Sequence, residues 1–272
     1  MIQLFATHKY KTKLGDISSE KVEKIFGKND CLFGSVFTKT PCEDGYELNG
    51  ELSFQGYSGA KVFHAKCNDN DKFVAKLINF ENTVMSSFFK EIFNQIKISN
   101  IPNIAPTIHQ ILLCKDNSNT VLKKGIFIMD LLDGQNLESY MREKIRSCDI
   151  SYDEKNEKNQ KDVLDIFDLI NLIKEKIETL HSNGWIHGDC ILHNMIFLND
   201  KKDIQFIDFS ESYQPLIKIQ ELNNSDYEQV YISLMDVSGI EHHPGSSVLP
   251  YNIQNKKFKK RLSDKIKRTF MI

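Results

Sequence analysis

Hydrophobic and polar positions repeat with two different periods along this chain, and the switches between them mark its elements. From Glu51 to Phe80 the period is two: Leu52–Gln55, Lys61–Cys67 and Lys72–Ile78 read as strands, with the polar run Asn68–Asp71 as a hairpin turn. From Thr83 to Ile98 the spacing changes to three and four, with Val84, Met85, Phe88, Phe89, Ile92, Phe93 and Ile96 on one stripe, which predicts a helix. Thr107–Cys114 and Val121–Leu132 return to strand-like patterning and bring this half to five strands. Asn136–Ile145 predicts a helix, and the polar stretch Ser147–Lys161 predicts a solvated loop. Asp162 then caps a long helix to about Leu180, with Val163, Ile166, Phe167, Ile170, Ile173, Ile177 and Leu180 on one face. Met195–Leu198 and Ile204–Ile207 read as short strands joined by the turn Asn199–Asp203, and Ser225–Val237 as a helix. Near the start, Ser18–Phe26 reads as a short helix that Gly27 stops.

The candidate chemistry is concentrated between Trp185 and Ser212. His187, Gly188 and Asp189 are followed by Asn194, and the hairpin after Asn194 returns Asp208 beside the loop that carries Asp189. Moving a phosphoryl group requires one carboxylate to orient the attacking hydroxyl and accept its proton, and further oxygen ligands for the metal ions that neutralise the phosphate. Asp189 suits the first task, Asn194 and Asp208 the second. Upstream, Gly56 and Gly59 lie in a turn where the lack of a Cβ would let backbone N–H groups approach phosphate oxygens.

These residues resemble the protein kinase superfamily, with its catalytic loop His-x-Asp-x-x-x-x-Asn and a variant, Asp208-Phe209-Ser210, of its Asp-Phe-Gly. Val74-Ala75-Lys76 resembles the strand whose apolar residue covers adenine and whose lysine meets the α- and β-phosphates of ATP. The resemblance implies that Glu91, the only acid in the Thr83–Ile98 helix, pairs with Lys76. It also implies that Gly56, Gly59 and Val62 bound the nucleotide, and that Met129 is the gatekeeper before a hinge formed by the backbone of Asp130 and Leu132. Asp226 resembles the aspartate of the helix that supports the catalytic loop.

The fold implied is α+β: a bilobal protein-kinase-like fold with a five-stranded antiparallel N-lobe carrying one helix and a reduced, mostly helical C-lobe. The expected domains are an N-terminal extension over 1–49, an N-lobe over 50–132, a C-lobe over 133–250 and a basic C-terminal tail over 251–272. The His-Gly-Asp form is similar to the atypical branch, including the small kinase of the KEOPS complex, the RIO kinases and compact viral or effector kinases. Gly188 stands where many regulated kinases have an arginine, and Ile191 where a lysine touches the γ-phosphate. The function implied is ATP-dependent transfer to a protein Ser or Thr with Mg²⁺ or Mn²⁺. The alternatives are a small-molecule kinase of the aminoglycoside or choline type and a nucleotide-binding pseudokinase.

Composition bounds this reading. At 272 residues with 40% hydrophobic content the chain can bury a sizeable core, and a net charge of -2 gives no global pull toward nucleic acid or membrane. The basic tail Lys256–Arg268 is a place where RNA, an acidic partner or anionic lipid could bind, though a solvated end is the simpler expectation. Cys31, Cys42, Cys67, Cys114, Cys148 and Cys190 form no Cys-x-x-Cys pair and are expected as reduced thiols. With no span-length apolar run and no signal-like start, a cytoplasmic protein is expected, in a host cell if the source is viral or microbial. A protein substrate and an activating protein partner are the expected interactions. Glu241, His242 and His243 are expected in a solvated loop rather than at a metal.

Overall fold

The computed structural model describes residues 32–38, 46–52, 60–67, 70–80, 85–115, 122–151, 157–215, 224–240 and 253–270. The Ser18–Phe26 helix, the turn at Gly56 and Gly59, and the Glu241–His243 segment lie outside the described residues. Over the described residues the chain is a mixed α+β protein with antiparallel sheets and five α-helices. It divides into two units, Met1–Ser99 with Pro106–Leu132, and Asn100–Ala105 with Asp133–Ile272.

The first unit contains β1 (Leu32–Thr38), β2 (Glu47–Leu52), β3 (Lys61–Cys67), β4 (Asn70–Asn79), α1 (Met85–Ile98), β5 (Ile108–Lys115) and β6 (Leu122–Asp130). The strands form one sheet in the order β1-β5-β6-β4-β3-β2, every pair antiparallel. Six strands thus replace the expected five, because β1 arises from the segment assigned to an N-terminal extension. Its sequence, Leu-Phe-Gly-Ser-Val-Phe-Thr, is rich in the aromatic and β-branched types that fit a pleated surface. β2 begins earlier than expected, with an irregularity between Asn49 and Glu51 where Gly50 adopts φ +55.

The sheet is buried on two faces. Tyr46, Ala65, Ala75, Leu112, Ile126 and Ile128 pack on one. On the other, Ile78, Ile108, Ile111 and Phe127 meet Phe88 and Ile92 of α1. Complete burial of Phe88 and Ile92 stabilises this contact by about 1.5–3 kcal/mol each. Gly125 of β6 makes room for it, since a Cβ there would lie 2.5 Å from the tip of the Phe88 ring. Phe93 stays 48% exposed, so the buried stripe of α1 is narrower than its sequence suggests and includes Glu91 and Gln95.

The second unit contains β7 (Gln135–Asn136), α2 (Leu137–Ser151), α3 (Glu157–Ser182), a single 3₁₀ turn (Leu192–Asn194), β8 (Met195–Leu198), β9 (Asp203–Phe206), α4 (Asn224–Val237) and α5 (Lys256–Phe270). β7, β8 and β9 form a small antiparallel sheet. α3 buries Val163, Ile166, Ile170, Ile173, Ile177 and Leu180 of the stripe its period predicts, with Leu169 buried in addition and Phe167 only half-buried. The loop expected over Ser147–Lys161 is instead helical at both ends, with α2 reaching Ser151 and α3 beginning at Glu157. The polar composition conceals this because Cys148 is buried and Asp149 is occupied: its carboxylate accepts from Gln254 N at 2.9 Å and Asn255 N at 2.7 Å. Asn255 Oδ1 in turn caps α5 by accepting from the N–H groups of Lys257 and Phe258, both at 3.1 Å. α5 buries Phe258, Leu262, Ile266 and Phe270, so its apolar stripe joins this core while Lys256, Lys257, Lys260, Arg261 and Arg268 stay exposed.

Cys67 is disulfide-bonded, which corrects the expectation of reduced thiols at that position. Cys148 and Cys190 are free and buried. Among the described residues no helix is long and apolar enough to cross a membrane.

Candidate functional site

Strand register arranges the candidate residues of the first unit. Lys76 lies opposite Val62 on β3 and Phe127 on β6, and Val74 lies opposite Met129, so Val62, Val74, Lys76 and Met129 share the face that α1 covers. Lys76 Nζ meets Glu91 Oε1 at 2.5 Å and stands 5.8 Å from the Phe127 ring centroid. Both partners are nearly sealed from water, with side chains 11% and 5% exposed. Gln95, one turn beyond Glu91, donates to Pro106 O at 3.0 Å and to Met129 Sδ at 3.3 Å, tying α1 to β6.

Two candidates are not brought to that face. Ala75 neighbours Lys76 in sequence and therefore points to the opposite side of the sheet, into the cluster with Ala65 and Ile128. Val74 occupies the place beside Lys76 that Ala75 was expected to fill. Asp130 also faces away: its carboxylate accepts from Thr107 N at 3.0 Å and meets His109 Nε2 at 2.6 Å. Its N–H donates to Thr107 O, and the N–H of the next residue, Leu131, to Lys72 O.

In the second unit, sequence and fold bring Asp189, Asn194 and Asp208 together. Asn194 is buried, and its Nδ2 donates to Asp189 O at 3.0 Å and to Asp189 Oδ2 at 2.7 Å. The N–H of Ile207 donates to Asn194 O at 2.9 Å, which fixes the residue before Asp208 to the same loop. Asp208 adopts φ +62, in the left-handed region that Asp and Asn enter more readily than most side chains and that Asn103 and Lys202 also occupy here. Asn136 Nδ2 donates to His193 O at 2.7 Å, anchoring the loop from the start of α2.

His187 is fully buried, with its ring against Phe206 and Phe209 at centroid distances of 5.3 and 5.2 Å. Burial lowers its pKa, so the ring is neutral. Its Nε2 faces Ile207 O at 3.2 Å, and since a carbonyl only accepts, Nε2 carries the proton. Nδ1 then accepts from Asp189 N at 3.4 Å. His187 therefore braces the loop between two aromatic rings.

The support beneath the loop comes from one face of α4. Asp226 is fully buried and accepts from His187 N at 2.8 Å, Gly188 N at 2.9 Å and the His181 ring at 2.8 Å. Burial pushes its carboxyl upward, but those hydrogen bonds outweigh burial and hold it below the ordinary carboxylate value. Three residues on, Gln229 Oε1 accepts from Cys190 N at 2.6 Å while its Nε2 donates to Gly188 O at 3.0 Å. One turn further, Ser233 Oγ accepts from Leu192 N at 3.2 Å. Sequence reasoning found Asp226 and missed Gln229 and Ser233, although polar residues at i, i+3 and i+7 of one helix are the signal of a shared face.

The chain after Asp208 is bound to the same loop. Ile186 and Tyr213 exchange two backbone hydrogen bonds, and Ser212 Oγ donates to His187 O at 2.8 Å. Gly188 has φ +82, and a Cβ there would lie 2.5 Å from Glu211 O. No model of a known protein family matches this chain, and no curated protein matches it.

Proposed function

We propose that this protein is an ATP-dependent phosphotransferase acting on a Ser or Thr hydroxyl of a protein, with a bilobal protein-kinase-like fold. The observation that carries this reading is the Asp189–Asn194–Asp208 constellation: a carboxylate oriented by a buried amide, with a second carboxylate held nearby in a left-handed backbone conformation. The antiparallel sheet of the first unit, with α1 the one helix among its described residues and with its buried Lys76–Glu91 pair, supports the same reading.

In the proposed reaction Asp189 accepts the proton of the acceptor hydroxyl as its oxygen attacks the γ-phosphorus. The bond from that phosphorus to the β,γ-bridging oxygen breaks, and ADP leaves. Lys76, fixed by Glu91, would hold the α- and β-phosphates as a compact cation. Val62, Val74 and Met129 would line the apolar side of the nucleotide.

Asn194 and Asp208 fit Mg²⁺ or Mn²⁺. With Asn194 Nδ2 spent on Asp189, the Asn194 oxygen and the Asp208 carboxylate form a hard, all-oxygen donor set. When bound, such an ion neutralises charge on the phosphate oxygens.

Incubation with γ-labelled ATP, Mg²⁺ or Mn²⁺ and a generic protein acceptor tests the proposal. Label on protein is expected from wild type, falling at least about 10²-fold in Asp189→Ala and Asp208→Ala. Label that persists in both variants, or label only on a small-molecule acceptor, overturns it.

A further inference from the structure

We propose that Gln229 is a positioning residue for Asp189: its amide clamps the peptide groups on either side of that carboxylate, and Ser233 secures the next turn of the loop. The inference rests on the phosphotransfer reading for its kinetic consequence, but the clamp is a matter of geometry alone.

The Gln229 side chain uses both ends. Its oxygen takes the N–H of Cys190, immediately after Asp189, and its nitrogen serves the carbonyl of Gly188, immediately before it. Rotation of the Asp189 backbone in either direction must break one of these bonds. Asp226 holds the loop one step earlier, at His187 N and Gly188 N, and Ser233 one step later, at Leu192 N. Asp189 is the residue in this run whose own N–H has only the long 3.4 Å contact to His187 Nδ1. Asn194 holds the Asp189 carbonyl and carboxylate directly, and Gln229 adds a hold on the peptide groups on either side. A carboxylate that accepts a proton in the transition state must be placed to within a fraction of an ångström, and a misplacement of about 1 Å costs on the order of 10²-fold in rate.

The test compares Gln229→Leu, which has similar volume and no hydrogen bonds, with Gln229→Glu, which keeps an acceptor for Cys190 N and loses the donor to Gly188 O. Amide hydrogen exchange is read first because it needs no activity. The Cys190 amide is expected to exchange at least about 10-fold faster in Gln229→Leu and to stay protected in Gln229→Glu, with amides of α3 unchanged in both. Unaltered Cys190 exchange in Gln229→Leu overturns the clamp. If Gln229→Leu does not fold, Gln229→Asn, whose shorter side chain cannot reach both peptides, carries the test, and unaltered Cys190 exchange in it overturns the clamp equally.

Kinetics follow. Gln229→Leu is expected to lower kcat about 10- to 100-fold with KM for ATP unchanged, and to add nothing further in an Asp189→Ala background. Equal losses with and without Asp189 would show Gln229 to be structural only and overturn the positioning role. Absence of transfer by wild type would sink the phosphotransfer reading, while hydrogen exchange would still decide the clamp.

Discussion

At the scale of single residues, the site is governed by what each backbone position can tolerate. Gly188 is glycine because its φ of +82 and the Glu211 carbonyl leave no room for a Cβ. A longer side chain would not fit here, because the chain that follows Asp208 fills the space. Asp226 is the residue on which the loop's charge balance depends. It is buried with three donors around it, and its pKa is held below the ordinary value, so folding favours its ionised form. The sign follows: the stability it contributes is complete above the ordinary carboxylate pKa, and is lost as pH falls through that value toward the lowered one. Asp226→Asn is therefore expected to cost about 2–4 kcal/mol at neutral pH, from weakened bonds to two backbone N–H groups and His181. In urea titrations the gap between wild type and variant should hold down to about pH 4 and shrink below it. A gap that is constant or grows on acidification would contradict this assignment.

At the scale of elements, periodicity was readable where the apolar stripe was not outnumbered by charge. β3 was legible residue by residue and the α3 stripe apart from half-buried Phe167 and buried Leu169, while the pairing of Glu91 with Lys76 came from the resemblance. The failures have physical causes. Ala75 was placed beside Lys76 by resemblance, although strand alternation puts adjacent residues on opposite faces. The end of α2 was hidden because Asp149 looks solvated in sequence and is in fact bound to the start of α5. α5 itself was masked by charge: its Lys and Arg residues dominate the composition, while Phe258, Leu262, Ile266 and Phe270 recur every four residues and are buried. This makes a direct prediction. Leu262→Ala should cost about 2–5 kcal/mol, whereas Lys260→Gln, at an exposed position, should change stability by less than about 0.5 kcal/mol. Equal small effects from both in chemical denaturation would mean that α5 is not part of the core.

At the scale of the whole molecule, the proposed chemistry is divided by unit, and the division can be tested without assuming how the units meet. Lys76 and Glu91 belong to the first, and Asp189, Asn194 and Asp208 to the second. If the first handles the nucleotide and the second the transfer, removing each set should affect different constants. Lys76→Met alone is a poor probe, because it would strand Glu91, whose side chain is 5% exposed, as a buried charge without its partner, at a cost of about 3–5 kcal/mol. The double variant Lys76→Met with Glu91→Gln removes the charge pair together and should stay folded. It is expected to weaken ATP affinity about 10- to 100-fold, the worth of a charge-assisted hydrogen bond to phosphate. Asp189→Ala should leave nucleotide affinity within about 3-fold of wild type while kcat collapses, since in the proposed reaction its carboxylate acts on the acceptor hydroxyl. Nucleotide titration beside steady-state kinetics separates the two. If ATP affinity falls in Asp189→Ala and is untouched in the double variant, the roles assigned to the two units are reversed, and Lys76 is a structural cation of the first sheet.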